Sequence, residues 1–310
     1  MKPAAALCAA AVLSGCVVAP VSVERASVPL RMAQPASVPA GMQYLYGSGE
    51  AVAASRQAYA ALLGYVTDRV RPLEAIRGAR SAGARPARAT RLSVVLAPGA
   101  TLAAPRMTDC GGKPPAIVLD VDETVLLNTG YEYSDARGGL AYDAARWERW
   151  EQAGGRATQA VPGAVEALNA VRALGVAVIF NTNRAAANAS FTQAAIERAG
   201  LGPARHGDTL FLKGDTPGGS AKDPRRAAIA ARYCVIAMAG DQFGDFSDLF
   251  NVGLSPAQRR AVASAPGFAR LWGNGWFILP NPVYGPALAG SFDEVFPNDL
   301  RWSDPGASKE

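Results

Sequence analysis

Several short polar motifs in this 310-residue chain combine acidic, hydroxyl, amide and ammonium groups, and each lies next to an apolar run or a helical stretch. Carboxylates close together in sequence bind cations or move protons, whereas a hydroxyl, an amide and a lysine suit an oxyanion. The motifs contain two aspartate pairs, a Thr-Asn pair and one lysine: Asp120 and Asp122, Asp241 and Asp245, Thr182 and Asn183, and Lys222.

If these motifs meet, the four aspartates repel one another unless a cation lies between them. A ligand set made only of oxygens favours Mg²⁺. Four carboxylates, one divalent cation and the Lys222 ammonium leave a single negative charge, so we expect one carboxyl to keep its proton. A protonated carboxyl can act as a general acid, which favours activity at acidic pH.

Taken separately, each motif also suits an ordinary loop. A calcium-binding turn at Asp120 lacks the glycine that such a loop needs at its sixth position, where Val125 stands. Thr182 and Asn183 alone are typical of a turn and a helix N-cap, and Asp241 and Asp245 alone suit a solvated loop. The prediction of one site therefore depends on the fold that brings the motifs together.

Short apolar runs alternate with helical stretches through most of the chain, which predicts a doubly wound α/β fold with a parallel sheet. The expected strands are 116–119, 176–180, 209–212, 235–239 and 276–279, and the expected helices between them are 163–174, 186–199 and 224–233. Ligands of such sheets bind at the carboxyl ends of the strands. Three of the motifs follow predicted strands directly, and Lys222 precedes the helix that leads to the fourth strand.

Two further segments flank this pattern. Apolar residues recur at three- and four-residue intervals from Gln43 to Val70, which predicts an amphipathic N-terminal helix that packs on the main domain. The segment from about 128 to 161 is too long for a tight turn and is rich in aromatic residues, so we expect it to form a small cap.

The composition excludes several classes of protein. The 49% hydrophobic and 18% charged residues indicate a globular chain, and no apolar run beyond the N-terminus reaches the roughly 18 residues of a membrane span. The single histidine, His206, excludes sites that need two. The net charge of +5 is scattered along the chain, so a nucleic-acid polymer is not an expected partner.

The N-terminus has the features of a bacterial lipoprotein. Residues 1–15 resemble a signal peptide, and Leu13-Ser14-Gly15-Cys16 resembles a lipobox, which predicts a lipid on Cys16 and a membrane anchor. Residues 16–40 read as a Pro-, Ala- and Val-rich tether, with the folded domain at 41–310. The Val17-Val18 pair suggests the outer membrane of a Gram-negative cell envelope. A disulfide between Cys110 and Cys234 is left open, because Cys234 also suits a buried core residue.

The motifs together resemble those of the haloacid dehalogenase (HAD) superfamily, with its Rossmann-like sheet. The stretches VLDVDETVLLNTGY (118–131) and IAMAGDQFGDF (236–246) are similar to the paired signatures of the class C non-specific acid phosphatases, which are bacterial lipoproteins. Gln242 and Phe243 depart from the usual residues of the second signature. A long glycine-rich loop leaves Lys213 as an alternative to Lys222, which we prefer because it precedes the helix that leads to Asp241.

The resemblance implies a Mg²⁺-dependent acid phosphatase that hydrolyses nucleoside monophosphates and other small phosphomonoesters. Asp120 is implied as the nucleophile that forms an aspartyl-phosphate, and Asp122 as the general acid and base. The implied phosphate-site residues are Thr182, Asn183 and Lys222, and the implied metal site consists of Asp120, the Asp122 main-chain carbonyl, Asp241 and Asp245. Tyr142 and Tyr284 are the expected aromatic contacts of a nucleoside base or aryl group, and a homodimer is left open.

Three other functions compete with this one. The chain could be a surface lipoprotein that kept the fold as an adhesin or binding protein without turnover. It could transfer the phosphoryl group to an alcohol rather than to water. Arg205-His206-Gly207 matches the start of the histidine acid phosphatase motif, but its continuation and the lack of a second histidine argue against that family.

Overall fold

The computed structural model describes residues 37–81 and 92–304, with residues 71–81 given only as helical backbone. The predicted signal peptide, Cys16 and nearly all of the tether lie outside these residues. In the described part, no helix combines the length and the apolar character that crossing a bilayer requires.

The strands and helices follow the predicted alternation. The strands are β1 Leu92–Leu96, β2 Met107–Asp109, β3 Pro115–Leu119, β4 Leu126–Leu127, β5 Gln159–Ala160, β6 Ala177–Ala185, β7 Leu210–Lys213, β8 Cys234–Gly240 and β9 Trp276–Ile278. The helices are α1 Ala40–Gly47, α2 Gly49–Ser81, α3 Thr129–Gly138, α4 Ala144–Ala153, α5 Ala164–Ala173, α6 Ala189–Arg198, α7 Asp223–Arg232, α8 Pro256–Ser264, α9 Pro266–Ala269 and α10 Phe292–Val295.

Five strands form one parallel sheet in the order β7-β6-β3-β8-β9. The first strand of this sheet along the chain, β3, therefore lies at its centre, with the second and third strands on one side and the fourth and fifth on the other. This order confirms the predicted doubly wound, Rossmann-like α/β fold. Its switch point lies between β3 and β8, where ligands bind in such folds.

Both faces of the sheet are buried. Alternate residues of β3 point to opposite faces: Ile117 and Leu119 pack in one hydrophobic cluster, Ala116 and Val118 in the other. The first cluster includes side chains of α2, α5 and α6. The second contains a group of aromatic rings around Trp276, whose Nε1 donates to the β1 carbonyl of Val94 at 2.8 Å. Burial on both faces explains why the strands read as continuous apolar runs.

Four details differ from the sequence prediction. The N-terminal helix is two helices, α1 and α2, with a break at Ser48, whose hydroxyl accepts from Ala51 N at 3.1 Å. The helix predicted at 186–199 begins with a short 3-10 turn at 186–188 before α6. Strand β6 extends to Ala185 and includes the Thr-Asn motif. The antiparallel pair β1–β2 was not predicted.

A disulfide joins Cys110 and Cys234, whose Cα atoms are 4.6 Å apart and which are separated by 124 residues of chain. Cys234 is the first residue of β8, and its backbone N–H donates to Pro114 O at 2.8 Å. The bridge therefore ties the start of β8 to the segment before β3. It lies at the amino ends of these strands, whereas ligands bind at their carboxyl ends.

The segment between β4 and β5 contains α3 and α4 and a 3-10 turn at 154–157. Its two ends are joined, because Leu126 pairs with Ala160 and Leu127 with Gln159 in an antiparallel ribbon. Helix α2 contacts the loop between β3 and β4, where Tyr59 Oη donates to Thr124 O at 2.6 Å.

Candidate active site

Three buried carboxylates meet at the switch point. Asp120 follows β3, and its backbone N–H donates to Ala239 O of β8 at 3.0 Å, which continues the pairing of the two strands. Asp241 follows β8. Asp245 lies in a 3-10 turn that folds back on the strand. One oxygen from each of these aspartates lies within 4.8 Å of the others.

The turn that carries Asp245 requires a glycine beneath it. A Cβ at Gly240 would collide with the Asp245 side chain. Asp245 Oδ2 accepts from the N–H of Gln242 at 2.8 Å, and this bond holds the carboxylate over the end of β8. The absence of a side chain at 240 thus allows the two acidic residues that follow β8 to face one site.

Burial and mutual repulsion oppose ionisation in this cluster. Burial, and then the charge of Asp245, raises the pKa of Asp241 to about 7. The pKa of Asp120 is also raised well above its usual range, because burial and the neighbouring aspartates outweigh the attraction of Lys222. In such a cluster, either a carboxyl keeps its proton or a cation binds between the carboxylates.

Lys222 supplies one cation. It is the N-cap of α7 and is buried, and its Nζ donates to Asp120 Oδ1 and, at 2.6 Å, to Asp245 Oδ1. Burial alone would lower its pKa, but the two carboxylates outweigh burial and raise it. Lys213, the alternative from the sequence, is exposed at the end of β7 and makes no such contact among the described residues.

The three carboxylates fit a divalent metal ion. With the Lys222 ammonium they leave two negative charges in a buried place, and their oxygens are hard ligands. Asp241 is fixed by hydrogen bonds from Thr124 Oγ1 at 3.0 Å, Asn281 Nδ2 at 2.7 Å and Gln242 Nε2 at 3.0 Å. Donors of this kind orient metal-binding carboxylates.

Asp122 has a different environment from the other three aspartates. Its Oδ1 accepts from Arg184 Nε at 2.9 Å, Arg184 Nη2 at 2.7 Å and Asn128 Nδ2 at 2.9 Å. Its side chain is not part of the carboxylate cluster formed by Asp120, Asp241 and Asp245. Its Oδ2 has one distant donor, Thr182 Oγ1 at 3.5 Å.

Thr182 and Asn183 lie on β6 rather than at a helix N-terminus. Alternation along the strand buries Thr182, whose Oγ1 accepts from Arg184 N at 3.2 Å, and leaves Asn183 exposed. Asn183 Oδ1 accepts from the buried Arg225 Nη2 at 2.5 Å, and Arg225 Nη1 donates to Thr182 O at 2.6 Å. Arg225 therefore braces this end of the strand.

A cavity of about 710 Å³ opens above these residues. Both expected aromatic residues line it: Tyr142 is 68% exposed, and Tyr284 is partly exposed and donates its hydroxyl to Glu123. Side chains of the cap and of the loop after β9 complete its wall. His206 does not line it and instead contacts Asp215 Oδ1 at 2.7 Å.

Sequence reasoning missed several residues of this site. Arg184 and Asn128 hold Asp122, and Asn128 Oδ1 also accepts from Arg184 Nη2 at 2.9 Å. Glu123 is buried with a positive φ of 54°, and its carboxylate accepts from Asn128 and from the hydroxyls of Tyr46 and Tyr284. The sequence contains one signal for Glu123, which is its position directly after the two aspartates of the Asp-x-Asp-Glu-Thr motif. A third acidic residue there needs hydrogen-bond donors of its own.

Comparisons with known proteins agree with this architecture. Residues 91–287 match the family described as HAD superfamily, subfamily IIIB (acid phosphatase). A structure of the class C acid phosphatase from Bacillus anthracis is similar at 23% identity and a TM-score of 0.57, over 80% of this chain and 84% of that one. A second structure of that enzyme, with tungstate bound, matches at 22% identity and a TM-score of 0.58, over 85% and 96% of the two chains.

Proposed function

Because the chain belongs to the subfamily IIIB acid phosphatases of the HAD superfamily and is a phosphatase, we propose that it hydrolyses small phosphomonoesters, nucleoside monophosphates among them. We propose that the reaction passes through an aspartyl-phosphate on Asp120. The observation that carries this proposal is the position of Asp120. Its carboxylate lies at the sheet switch point, next to the Lys222 ammonium, and lines the cavity.

The first half of the reaction transfers the phosphoryl group to the protein. An oxygen of Asp120 attacks phosphorus in line, the phosphorus–oxygen bond to the substrate alcohol breaks, and the alcohol leaves with a proton from Asp122. The Lys222 ammonium attracts the phosphate oxygens as charge spreads over them. Thr182 and Asn183, which Arg225 braces at the strand end, are the other proposed contacts of the phosphate oxygens.

The second half returns Asp120 to its starting state. A water molecule attacks phosphorus, Asp122 takes a proton from it, and the bond between Asp120 and phosphorus breaks to release inorganic phosphate. Asp122 Oδ2 is the oxygen suited to carry the proton, because Oδ1 already accepts three hydrogen bonds. Arg184 and Asn128 thus leave one oxygen of the general acid available to the substrate.

Magnesium is the proposed metal, and Asp120, Asp241, Asp245 and the Asp122 main-chain carbonyl would hold it. When bound, it neutralises the repulsion between the Asp120 carboxylate and a phosphate dianion. The raised pKa values of Asp120 and Asp241 support this proposal, since both groups need a cation to ionise together.

Two observations support a broad range of small phosphomonoesters. The tungstate of the Bacillus anthracis structure is a tetrahedral oxyanion like phosphate, so the related fold holds such an anion. In this chain Tyr142 and Tyr284 line the cavity and present rings that can stack on bases or aryl groups without reading their edges.

The test is phosphate release from p-nitrophenyl phosphate between about pH 5 and 7, with Mg²⁺ and with EDTA. We expect turnover that EDTA abolishes and Mg²⁺ restores. Absence of turnover with every divalent metal would instead favour a binding protein or adhesin. A product with phosphate on an added alcohol would indicate phosphotransfer, which shares the aspartyl-phosphate.

We also propose that the protein is a lipoprotein of the cell envelope, anchored through Cys16 to the outer membrane. The support is the lipobox-like Leu13-Ser14-Gly15-Cys16 and the tether that follows it. Cys16→Ser should move the protein from the membrane fraction to the soluble fraction, and an unchanged membrane fraction would refute the lipid anchor.

A further inference from the structure

Arg225 of α7 is a buried cation that pairs with no carboxylate of the described residues. The other two fully buried arginines in the described part of the chain both have such a partner. Arg184 pairs with Asp122 at 2.7 Å, and Arg226 pairs with Asp223 at 2.7 Å. Burying a charge is costly unless something compensates it, so the unpaired guanidinium points to an anion that the site receives from outside.

The hydrogen bonds of Arg225 hold it in place without neutralising it. Nη1 donates to Thr182 O at 2.6 Å. Nη2 donates to Asn183 Oδ1 at 2.5 Å and to Ala221 O at 3.3 Å. Nε is buried and has no hydrogen-bond partner among the described residues. All three acceptors are neutral, and two of them belong to residues that the proposed reaction assigns to the phosphate.

The contact with Arg225 determines which way the Asn183 amide points. A guanidinium has donors and no acceptor, so the amide atom that faces it is Oδ1. Nδ2 is the other branch of the amide and donates to no described residue. Asn183 is exposed and lines the cavity, whereas Arg225 does not. Arg225 therefore leaves the Asn183 N–H groups free to donate to a ligand, and its charge polarises them.

The charge of Arg225 also acts close to the proposed nucleophile. Burial lowers the pKa of Arg225, and among its charged neighbours the Asp120 carboxylate opposes this most strongly. Lys222, which also lies beside Asp120, already donates to both Asp120 and Asp245. The Lys222 charge is thus shared by two carboxylates before a substrate binds, whereas the Arg225 charge has no such partner.

We propose that Arg225 is a positioning residue of the phosphate site that acts through Asn183. It orients the amide N–H groups for a phosphate oxygen, and its charge makes the site prefer a dianionic group. This inference rests on the proposed phosphatase function and deepens it, because a phosphomonoester becomes a dianion above its second pKa of about 6. A dianion gains twice the Coulomb energy of a monoanion from the same positive charge.

The experiment compares two tetrahedral oxyanions of similar size, the tungstate dianion and the perrhenate monoanion. Calorimetry measures both dissociation constants with Mg²⁺ present, at a mildly alkaline pH where tungstate is monomeric. We expect the wild type to bind tungstate more tightly. Arg225→Gln keeps an N–H donor but loses the charge. It should weaken tungstate binding at least about tenfold and perrhenate binding by about the square root of that factor, because Coulomb energy is proportional to the anion's charge.

Two further variants separate the charge of Arg225 from its bracing of the strand. Arg225→Lys should keep the preference for tungstate that Arg225→Gln loses, because it keeps the charge. Arg232→Gln removes an exposed arginine from the same helix, outside the cavity, and should bind both anions as the wild type does. Equal losses for the two anions in Arg225→Gln, no loss, or an Arg225→Lys protein without the preference would each overturn the role of the charge.

Asn183→Ala tests the path through the amide at an exposed position, so the test does not depend on replacing a buried side chain. It should weaken tungstate binding by itself. Adding Arg225→Gln to it should cost less than Arg225→Gln costs alone, because residues that act together give non-additive losses. Strictly additive losses, or wild-type tungstate affinity in Asn183→Ala, would overturn the action through Asn183.

Failure of the proposed function is distinguishable from failure of this inference, because oxyanion binding is measured without turnover. If the wild type prefers tungstate and the variants behave as expected, but no ester is hydrolysed, the phosphatase proposal fails and the role of Arg225 stands. If phosphomonoesters are hydrolysed but the wild type binds tungstate and perrhenate equally well, the role of Arg225 is overturned and the phosphatase proposal stands.

Discussion

Arg184 donates hydrogen bonds from Nε and Nη2 to one oxygen of Asp122, Oδ1, at 2.9 and 2.7 Å. Arg184 is 1% exposed and also donates to Asn128 Oδ1, so the guanidinium is held by two partners in a small network. This arrangement orients the Asp122 carboxyl and leaves Oδ2 with only the Thr182 hydroxyl, 3.5 Å away, as a donor among the described residues. It makes Arg184 a positioning residue for the proposed general acid.

Arg184→Lys should lower kcat by about 10- to 100-fold, because a lysine keeps the charge but not the rigid pair of donors that both contact Asp122 Oδ1. KM should change little, since Arg184 does not line the cavity. Arg149→Lys, at an exposed cap position, is the control, and an Arg184→Lys enzyme with a normal kcat would contradict this role.

Asp120→Asn should reduce turnover by at least about a hundredfold, because the amide is a poor nucleophile for phosphorus. Steady-state assays and a circular dichroism spectrum together separate loss of chemistry from loss of fold. Asp208→Asn removes a partly exposed carboxyl outside the cavity and should behave as wild type. Residual activity above about 1% in the Asp120→Asn enzyme would argue against covalent catalysis by this residue.

Asp241→Asn should weaken the affinity for Mg²⁺, because it removes a charged ligand from the carboxylate cluster. We expect the half-saturating Mg²⁺ concentration to rise at least about tenfold, comparable to the loss of supporting residues at metal sites. Added Mg²⁺ should raise the Tm of the wild type and raise it less in this variant, since ligand binding stabilises the folded state. An unchanged metal titration would remove Asp241 from the site.

Without metal, stability should fall as the pH rises from about 5 to about 7.5. Burial raises the pKa of Glu132 and of Glu123 to about 7, above the value of 4.5 in an unfolded chain. Between these values the folded state binds protons that the unfolded state has released, so the free energy of unfolding decreases with pH. Urea denaturation in EDTA measures this slope.

Glu132→Gln isolates one of these groups. The variant should show a smaller decrease than the wild type over the same pH range, and Glu148→Gln should show the wild-type decrease. Equal slopes in the wild type and Glu132→Gln would mean that Glu132 titrates normally in the folded protein.

Reduction of the Cys110–Cys234 disulfide should lower the free energy of unfolding by about 2–5 kcal/mol, the usual range for native bridges. The loop here spans 124 residues. Urea denaturation with and without dithiothreitol, and of Cys110→Ser, measures the loss. Because the bridge lies at the opposite end of β8 from Asp241, kcat/KM of the folded reduced protein should stay unchanged. Equal stability of both forms would contradict a stabilising bridge.

The sheet was predictable from the sequence because its signals are local. Each parallel strand is buried on both faces, so it appears as an apolar run, and its carboxyl end appears as the polar residue that follows. The position of Asp120 after β3 and of Asp241 after β8 follows from this. The fold expected from the HAD resemblance is confirmed by the parallel sheet and the family match.

Pairings between distant residues were not predictable in the same way. Arg184 contacts Asp122 across 62 residues, and nothing in the sequence around Arg184 shows that its partner is this carboxylate rather than solvent. The disulfide and the β1–β2 ribbon depend equally on tertiary geometry. The extension of β6 through Thr182 was missed because polar residues ended the apolar signal before the backbone pairing with β7 ended.

The antiparallel ribbon of β4 and β5 closes the cap at its base. The chain leaves the core at Leu127 and returns at Gln159, and these two residues are paired. An exchange of residues 129–158 between relatives would therefore have to keep the tryptophan whose Nε1 donates to Asn128 Oδ1, as Trp150 does at 2.9 Å, because Asn128 in turn holds Asp122. Such chimeras offer a route to new substrate preferences, and the same modularity would let evolution diversify these enzymes by changing the cap alone.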